Sequence, residues 1–406
     1  MWKRLSILLA PERRSRNSAR RSQESVFARA VFAIVILVPS LLAPGQSTPG
    51  AAPASRGVRN GTYPLPPISL HHLQTLTDNT GIHEFARGTV PWHENGYCAE
   101  DVARALAAVT LYEQATGKTD GRSLARLYLS YLNKSTREDG QVWNRMEKMM
   151  TSGDSYGRVL YGLGYAASFH PAPAISKPAG RLFERLLPGY EQKLGDYPIA
   201  RACAVQGLAA YLSKHQSAAV RAALLKCAKA NLAAFQQHSS GLWKWFGDSM
   251  TYDTGRLPVA LLLAFQVTGD AKLRQAGLDS LDFLLATCFP GEGSQLSLVG
   301  NKGWYKKEGP PARFDQQPID AASIVEACVL AWRITGEAKY SQRARIAFGW
   351  FVGDNVKQAA MYDPVSAGCH DGLTESGPNA NQGAESTIMY VIARCTIEEL
   401  LKAQAK

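Results

Sequence analysis

The sequence predicts an all-α fold, an (α/α)6 toroid in which six helical hairpins close into a ring. Three observations predict it. Six times, an apolar run of helical length opens just after a cluster of Gly, Asp, Tyr or Asn. Five of those runs pass through a turn into a second, more amphipathic run. Turns within a hairpin are short, whereas links from a second run to the next first run are long and carry aromatics. An open solenoid would use the same hairpins, but it repeats a more uniform consensus than these six dissimilar openings.

In chain order the openings are Gly96-Tyr97-Cys98-Ala99-Glu100-Asp101, Asp154-Ser155-Tyr156-Gly157-Arg158, Asp196-Tyr197-Pro198, Tyr252-Asp253-Thr254-Gly255-Arg256, Asp315-Gln316-Gln317-Pro318 and Asn381-Gln382-Gly383-Ala384-Glu385. Three joints repeat a pattern: Thr116-Gly117-Lys118, Thr268-Gly269-Asp270 and Thr335-Gly336-Glu337. A glycine just past a helix end accepts the left-handed conformation that satisfies the last carbonyls. Hairpins two and three turn more loosely, through His170-Pro171-Ala172-Pro173 and Ser213-Lys214-His215-Gln216. First runs such as 199–212 and 257–267 are apolar nearly all round, as a helix buried on every side must be. Second runs such as 220–236 place Arg221, Lys226 and Lys229 between apolar positions, which suits an outer ring facing water. The long links are 134–153, 238–251, 288–314 and 353–380, and they hold Trp143, Trp243, Trp245, Trp304 and Tyr305.

The formal net charge is +11. Residues 1–60 hold ten Lys or Arg against two Glu, so about +3 is left for the rest. That balance, with no basic stripe, argues against a nucleic-acid partner. A basic stretch through Arg29, the apolar run 30–43 and the small-residue sequence Ala51-Ala52-Pro53-Ala54 resemble a secretory signal. Residues 1–55 therefore read as a signal peptide or N-terminal anchor with a low-complexity linker, and 56–406 as the toroid domain. The expected location is periplasmic or extracellular. An inner-membrane tether, or a cytoplasmic location if the start codon is misassigned, are the alternatives. Seven cysteines at 98, 203, 227, 288, 328, 369 and 395 are too scattered for a disulfide scaffold, and those inside apolar runs read as small core residues. No CxxC pair or HExxH occurs, so neither a metal site nor an organic cofactor is signalled.

Gly303-Trp304-Tyr305, Arg313-Phe314-Asp315-Gln316-Gln317-Pro318 and Asn381-Gln382-Gly383-Ala384-Glu385-Ser386-Thr387 are the densest of several stretches that resemble a bacterial family within the six-hairpin glycosidase superfamily. Its members often lie beside, or are fused to, family 4 glycosyltransferases and mannoside-processing enzymes. The resemblance implies a toroid acting on an oligo- or polysaccharide, with a glycosyltransferase as a working partner. The sequence departs from that family's pattern in three places. Glu100, Asp101 and Val102 stand where two aspartates and an asparagine are usual, Gly247 replaces a glutamate after Trp-x-Trp-Phe, and Thr254 replaces an asparagine.

Glycoside hydrolysis uses two carboxyl groups, one raised in pKa to protonate the leaving oxygen and one ionised. The expected catalytic set is Asp101 and Asp315, with Asp253 third. Glu100 and Asp101 point about 100° apart on a helix, so one faces the cavity while the other braces the wall. Asp101 is assigned to the cavity, against a structural pairing with Arg104. Asp154 and Asp196 read as helix N-caps. The expected substrate contacts are Glu100, Trp245, Trp304, Tyr305, Gln316, His370, Asp371 and Glu385, with Glu385 four residues into the last run. Arg158 and Arg256 are expected to neutralise carboxylates. The competing reading is a catalytically silent glycan-binding toroid, which the loss of a carboxylate at Gly247 favours.

Overall fold

The computed structural model describes residues 63–291 and 295–405, and the export-like segment 1–55 lies outside them. A short helix α1 (His71–Thr75) precedes five complete hairpins. They are α2 (Ala99–Thr116) with α3 (Arg122–Ser135), α4 (Gly153–Phe169) with α5 (Pro173–Leu186), and α7 (Pro198–Leu212) with α8 (Ala218–His238). After these come α9 (Arg256–Thr268) with α10 (Ala271–Cys288) and α11 (Pro318–Thr335) with α12 (Ala338–Gly349). A one-turn helix α6 (Tyr190–Leu194) lies before α7, and α13 (Ala384–Gln404) ends the described chain.

The first helix of each hairpin forms an inner ring. In sequence, α2 packs on α4, α4 on α7, α7 on α9, α9 on α11 and α11 on α13, and α13 returns to α2. The ring is therefore closed, an (α/α)6 toroid. Inner α7 is buried almost throughout Ala200–Tyr211, whereas outer α5 buries only the stripe Ile175, Ala179, Leu182, Phe183 and Leu186. The three Thr-Gly joints behave as their sequence predicts: Gly117, Gly269 and Gly336 take φ of 71°, 75° and 75°. The sixth outer position is filled from the other end of the chain. There α1 packs on α13, Arg394 Nε donates to the Pro66 carbonyl, and Tyr63 Oη donates to the Arg345 carbonyl.

Helices α4 and α7 approach closely through glycine. A Cβ on Gly164 would lie 2.2 Å from the Gly207 carbonyl oxygen, and one on Gly207 would lie 2.1 Å from that of Leu160. Side chains at those positions would force the inner ring apart.

The long links form a collar over the N-terminal ends of the inner helices. Four two-residue ribbons stiffen it: β1 (Ala86–Arg87) with β2 (Val90–Pro91), β3 (Ser249–Met250) with β4 (Tyr305–Lys306), β5 (Tyr362–Asp363) with β6 (Gly368–Cys369), and β7 (Leu373–Thr374) with β8 (Gly377–Pro378). The β3–β4 pair and the Gln316–Leu373 bridge join separate links to one another.

All seven cysteines are buried. Two helix starts differ from the sequence reading. Ser152, not Asp154, caps α4 by accepting from the Ser155 amide, because Asp154 sits inside the first turn and accepts from Tyr252 Oη. Asp196 makes no cap either; α7 begins at Pro198 after Tyr197, and Asp196 lies in solvent 3.8 Å from Arg201.

Candidate active site

Four of the six polar openings meet in one network of alternating charge across the ring, joined by Gln206 and Glu326 from within α7 and α11. Glu385 (α13) pairs with Arg104 (α2) at 2.9 Å, and Arg104 reaches Asp101 at 2.5 Å and Glu100 at 3.6 Å. Glu100 pairs with Arg158 (α4) at 3.3 Å, and Arg158 pairs with Asp253 at 2.8 Å. Asp253 pairs with Arg256 (α9) at 3.0 Å, and Arg256 reaches Glu326 (α11) at 2.5 Å and Gln206 (α7) at 3.0 Å. Every inner helix contributes at least one member. Helix N-termini favour anions, and the first turns of α2 and α13 supply Glu100, Asp101 and Glu385 there. Buried carboxylates of one sign repel unless cations separate them. Arg104, Arg158 and Arg256 do so here, the neutralising role expected for the last two.

Within the network, exposure separates the adjacent acids. The Asp101 side chain is 4% exposed and Glu100 is 25% exposed. Asp101 is gripped at one oxygen by Arg104 and at the other by the Cys98 thiol, which donates at 3.1 Å. The expectation for the pair is thus reversed: Asp101 braces the wall and Glu100 faces the opening. Asn144, from the link after α3, holds Glu100 in place. Its Oδ1 accepts from the Glu100 amide and its Nδ2 donates to Glu100 Oε1, each at 3.3 Å.

A further carboxyl group joins from the N-terminal segment. Glu84 lies just before β1, is 16% exposed, and accepts from Arg145, which also donates to the Asn95 carbonyl. Oxygen atoms of Glu84 and Asp101 and the Cys98 sulfur lie within 4.8 Å of one another. Burial, with the Asp101 charge added, pushes Glu84 up to about 8 against the pull of Arg145. Burial likewise pushes Asp101 up to about 6, against Arg104. At Glu100 burial also acts upward, but Arg104 and Arg158 outweigh it and hold the carboxyl below its ordinary range. Glu84 and Glu100 are therefore driven in opposite directions, the pattern of a proton donor beside an ionised partner. Glu84, Cys98 and Asp101 could in principle offer donors to a cation. Arg104 and Arg145 already place positive charge against Asp101 and Glu84, so the protein's own cations occupy the set.

The other expected site residues divide. Asp253 has no exposed surface, and both its oxygens are held by guanidinium groups. Burial would raise it, but Arg256 and Arg158 keep it below the usual range; it belongs to the wall and cannot touch a substrate. Asp315 stands outside the network, 3.2 Å from Lys302, and shares no partner with Asp101. Gln316 is fully buried. It accepts from Trp350 Nε1 and donates to the Arg313 carbonyl, so it holds the collar together. Trp245 is 2% exposed and packs edge-on against Phe246. Tyr305 packs on Trp243 and Phe283, plugging the links 238–251 and 288–314 onto α10. Trp304 is half-buried against the core. These aromatics fix loops, so Gln316, Trp245 and Tyr305 are corrected from substrate contacts to structural residues. Asp371 accepts from the Gly383 amide at 2.7 Å, which anchors the start of α13 and with it Glu385. Helix α13 begins at Ala384, so Glu385 is in its first turn, closer to the opening than the sequence suggests. His370 is half-buried beside Asp371.

Sequence reasoning missed Glu84, Asn144 and Arg145. The first and last carry no helix register, and only the folded collar brings them to Asp101 and Glu100.

No protein-family model matches the sequence, and no curated protein matches it either. Solved structures do match. A D-mannose isomerase aligns over 82% of this chain and 94% of its own, with a TM-score of 0.63 and 14% identity. The cellobiose 2-epimerase of Bacillus thermoamylovorans covers 82% and 96% at a TM-score of 0.62 and 13% identity. An α-1,6-mannanase of Salegentibacter sp., inactive through replacement of two consecutive aspartates by asparagine and bound to α-1,6-mannotriose, covers 81% and 96% at 0.54 and 11%. The chain shares the fold of these six-hairpin toroids.

Proposed function

We propose that the chain is a carbohydrate-active enzyme that hydrolyses a glycosidic bond in an oligo- or polysaccharide. The observation that carries the reading is the pair Glu84 and Glu100, pushed to opposite sides of neutrality at the collared mouth. Glu84, protonated at neutral pH, gives its proton to the leaving glycosidic oxygen. Glu100, ionised and held by Arg104, Arg158 and Asn144, attacks the anomeric carbon or activates water. Asp101 is a positioning residue whose charge keeps the proton on Glu84. The mannanase whose inactive form lacks two consecutive aspartates lends support, since Glu100-Asp101 is the adjacent acidic pair at an inner-helix opening here. Isomerases and epimerases of the same fold suggest proton transfer at a sugar carbon instead. Among the described residues no histidine hydrogen-bonds or ion-pairs with the charge network, which favours carboxylate chemistry. Export through residues 1–55, a membrane tether there and a glycosyltransferase partner belong to the same proposal and rest on the sequence alone.

One observation favours a silent binding toroid. The space around Gly247 is open, and Asp248 turns to His238 instead of supplying a carboxylate. A single experiment separates the readings. The protein is incubated with mannose-, glucose- and uronate-containing oligosaccharides, with and without phosphate, and products are followed by mass spectrometry and NMR. Shortened free sugars support the hydrolase. Sugar phosphates would replace it with phosphorolysis, isomerised sugars of unchanged mass with epimerisation, and binding without product with the silent toroid.

A further inference from the structure

The opposite end of the ring holds a second feature that the hydrolytic site does not use. A cavity of about 890 Å³ opens between the C-terminal halves of the inner helices. Its wall on α4 is an aromatic stripe: Tyr161, Tyr165 and Phe169 recur every four residues on one helix face. Tyr161 and Tyr165 have centroids 4.7 Å apart, and Tyr165 meets Phe169 edge-on at 5.5 Å. Gln206 and Glu326, the last members of the charge network, form its inner end. Tyr161 is a lining residue only 2% exposed, and its hydroxyl is buried without a hydrogen-bond partner. Tyr165 and Phe169 are less buried and bring ring surface to the cavity wall, and Gln114 and Gln266 add exposed amide groups to the lining.

We infer that this cavity is a second binding site, separate from the collared mouth, for a small neutral saccharide. The carboxylates of the lining are already paired: Arg333 meets Glu399 at 2.9 Å, and Arg256 covers Glu326. Arg221, exposed, donates to the neutral Val267 carbonyl and keeps its charge. The aromatic wall on α4 is itself uncharged. What the lining offers is ring surface for the C–H faces of a sugar, with amide groups beside it. The volume falls in the range of small-molecule sites, roughly 300–1,000 Å³, enough for a mono- or disaccharide. The inference is independent of the hydrolase reading, because it rests on the far ends of the helices.

The test uses the full chain with D-mannose, cellobiose and α-1,6-mannobiose as probes. Binding is followed by calorimetry, and crystals soaked in each sugar locate it. Two variants address the cavity alone. Tyr165→Leu removes the ring and keeps the position apolar, and Gln266→Trp fills the entrance from an exposed position. The expected result is sugar density against Tyr165, affinity for that sugar lowered roughly ten-fold by Tyr165→Leu, and binding there abolished by Gln266→Trp. Turnover at the other mouth stays unchanged. A purely structural role for Tyr165 would move the melting temperature and not the affinity. The inference is overturned if none of the three sugars binds in the cavity at tens of millimolar, or if both variants leave binding as it was. Loss of the hydrolase reading with cavity binding retained would leave it standing.

Discussion

The two ends of the ring are made by the same six inner helices and are chemically opposite. At the N-terminal end, Glu100, Asp101, Asp253 and Glu385 crowd together, Arg104 and Arg158 divide them, and long links cover the mouth. At the C-terminal end, short turns leave the mouth open, Tyr161, Tyr165 and Phe169 line it, and Arg333 is paired with Glu399. The difference follows from helix polarity. Free amides and the dipole's positive end stabilise carboxylates at one end and leave carbonyls at the other. Loop length adds the rest: the first long link brings Asn144 and Arg145 over the helix ends, and the segment before α2 brings Glu84. Among the described residues, the acid raised by burial beside an acid lowered by guanidinium groups, Glu84 with Glu100, lies at the first end.

The largest effect that would break this contrast is catalytic. Glu100→Gln keeps the shape and removes the charge, and kcat/KM is expected to fall roughly 10³-fold in an oligosaccharide-hydrolysis assay. Gln266→Trp at the other end is expected to leave it unchanged. Equal losses from both variants would erase the division of labour. Next in size is the link between the ends. Arg256→Met leaves Asp253 and Glu326 without their shared cation in the buried network. Removing one member of a buried ion pair costs about 3–5 kcal/mol, so chemical denaturation should report a loss of that order. A loss under about 1 kcal/mol would mean the ends are not joined through Arg256.

The ring itself was legible in the sequence, and the chemistry at its mouth only in part. The Thr-Gly joints at Gly117, Gly269 and Gly336 and the all-apolar α7 are local signals, each set by backbone conformation or burial period. They survive folding unchanged. Site residues depend on tertiary register instead. The sequence identified Glu100 and Asp101 as a divided pair but could not tell which faced outward, because Cys98 and Arg104 decide that by gripping Asp101. Gln316 stood in a dense motif, yet its amide is consumed by Trp350, which is 34 residues away in the chain. Glu84 carried no signal at all: it sits in a loop of the segment that fills the sixth outer position, and its partners come from the links and helices of the first hairpin.

Acidity sharpens the comparison further. Glu84 is raised to about 8 from an ordinary 4.5, so between those values the folded protein keeps a proton that the unfolded chain releases. Stability from this group is full below about pH 4.5 and is lost as pH rises through about 8. Activity should follow the same upper limb, because a donor must be protonated, and its lower limb falls below the ordinary glutamate range, where Glu100 gains a proton. Glu84→Gln should flatten the stability decline between pH 5 and 8 in thermal melts (window from the ordinary and raised values, about 4.5 to 8), and it should abolish the upper limb. An alkaline limb that survives the substitution would assign the proton donor elsewhere.

The smallest expected effect tests the edge of the N-terminal region. Asp315 lies in the collar and pairs only with Lys302, a side chain 65% exposed, apart from the network that Glu100 and Asp101 share. Exposed ion pairs contribute about 0–1 kcal/mol, so Asp315→Asn should change stability by no more than that. If Asp315 also stays clear of the reacting bond, kcat/KM should hold within about ten-fold, far from the loss of roughly 10²–10⁴ that removing an acid or base causes. A loss of that larger size, with unchanged melting temperature, would move the second carboxylate from Glu84 to Asp315. The collar would then act as a mobile arm of the site, and the contrast between the two mouths would rest on loop closure more than on helix polarity.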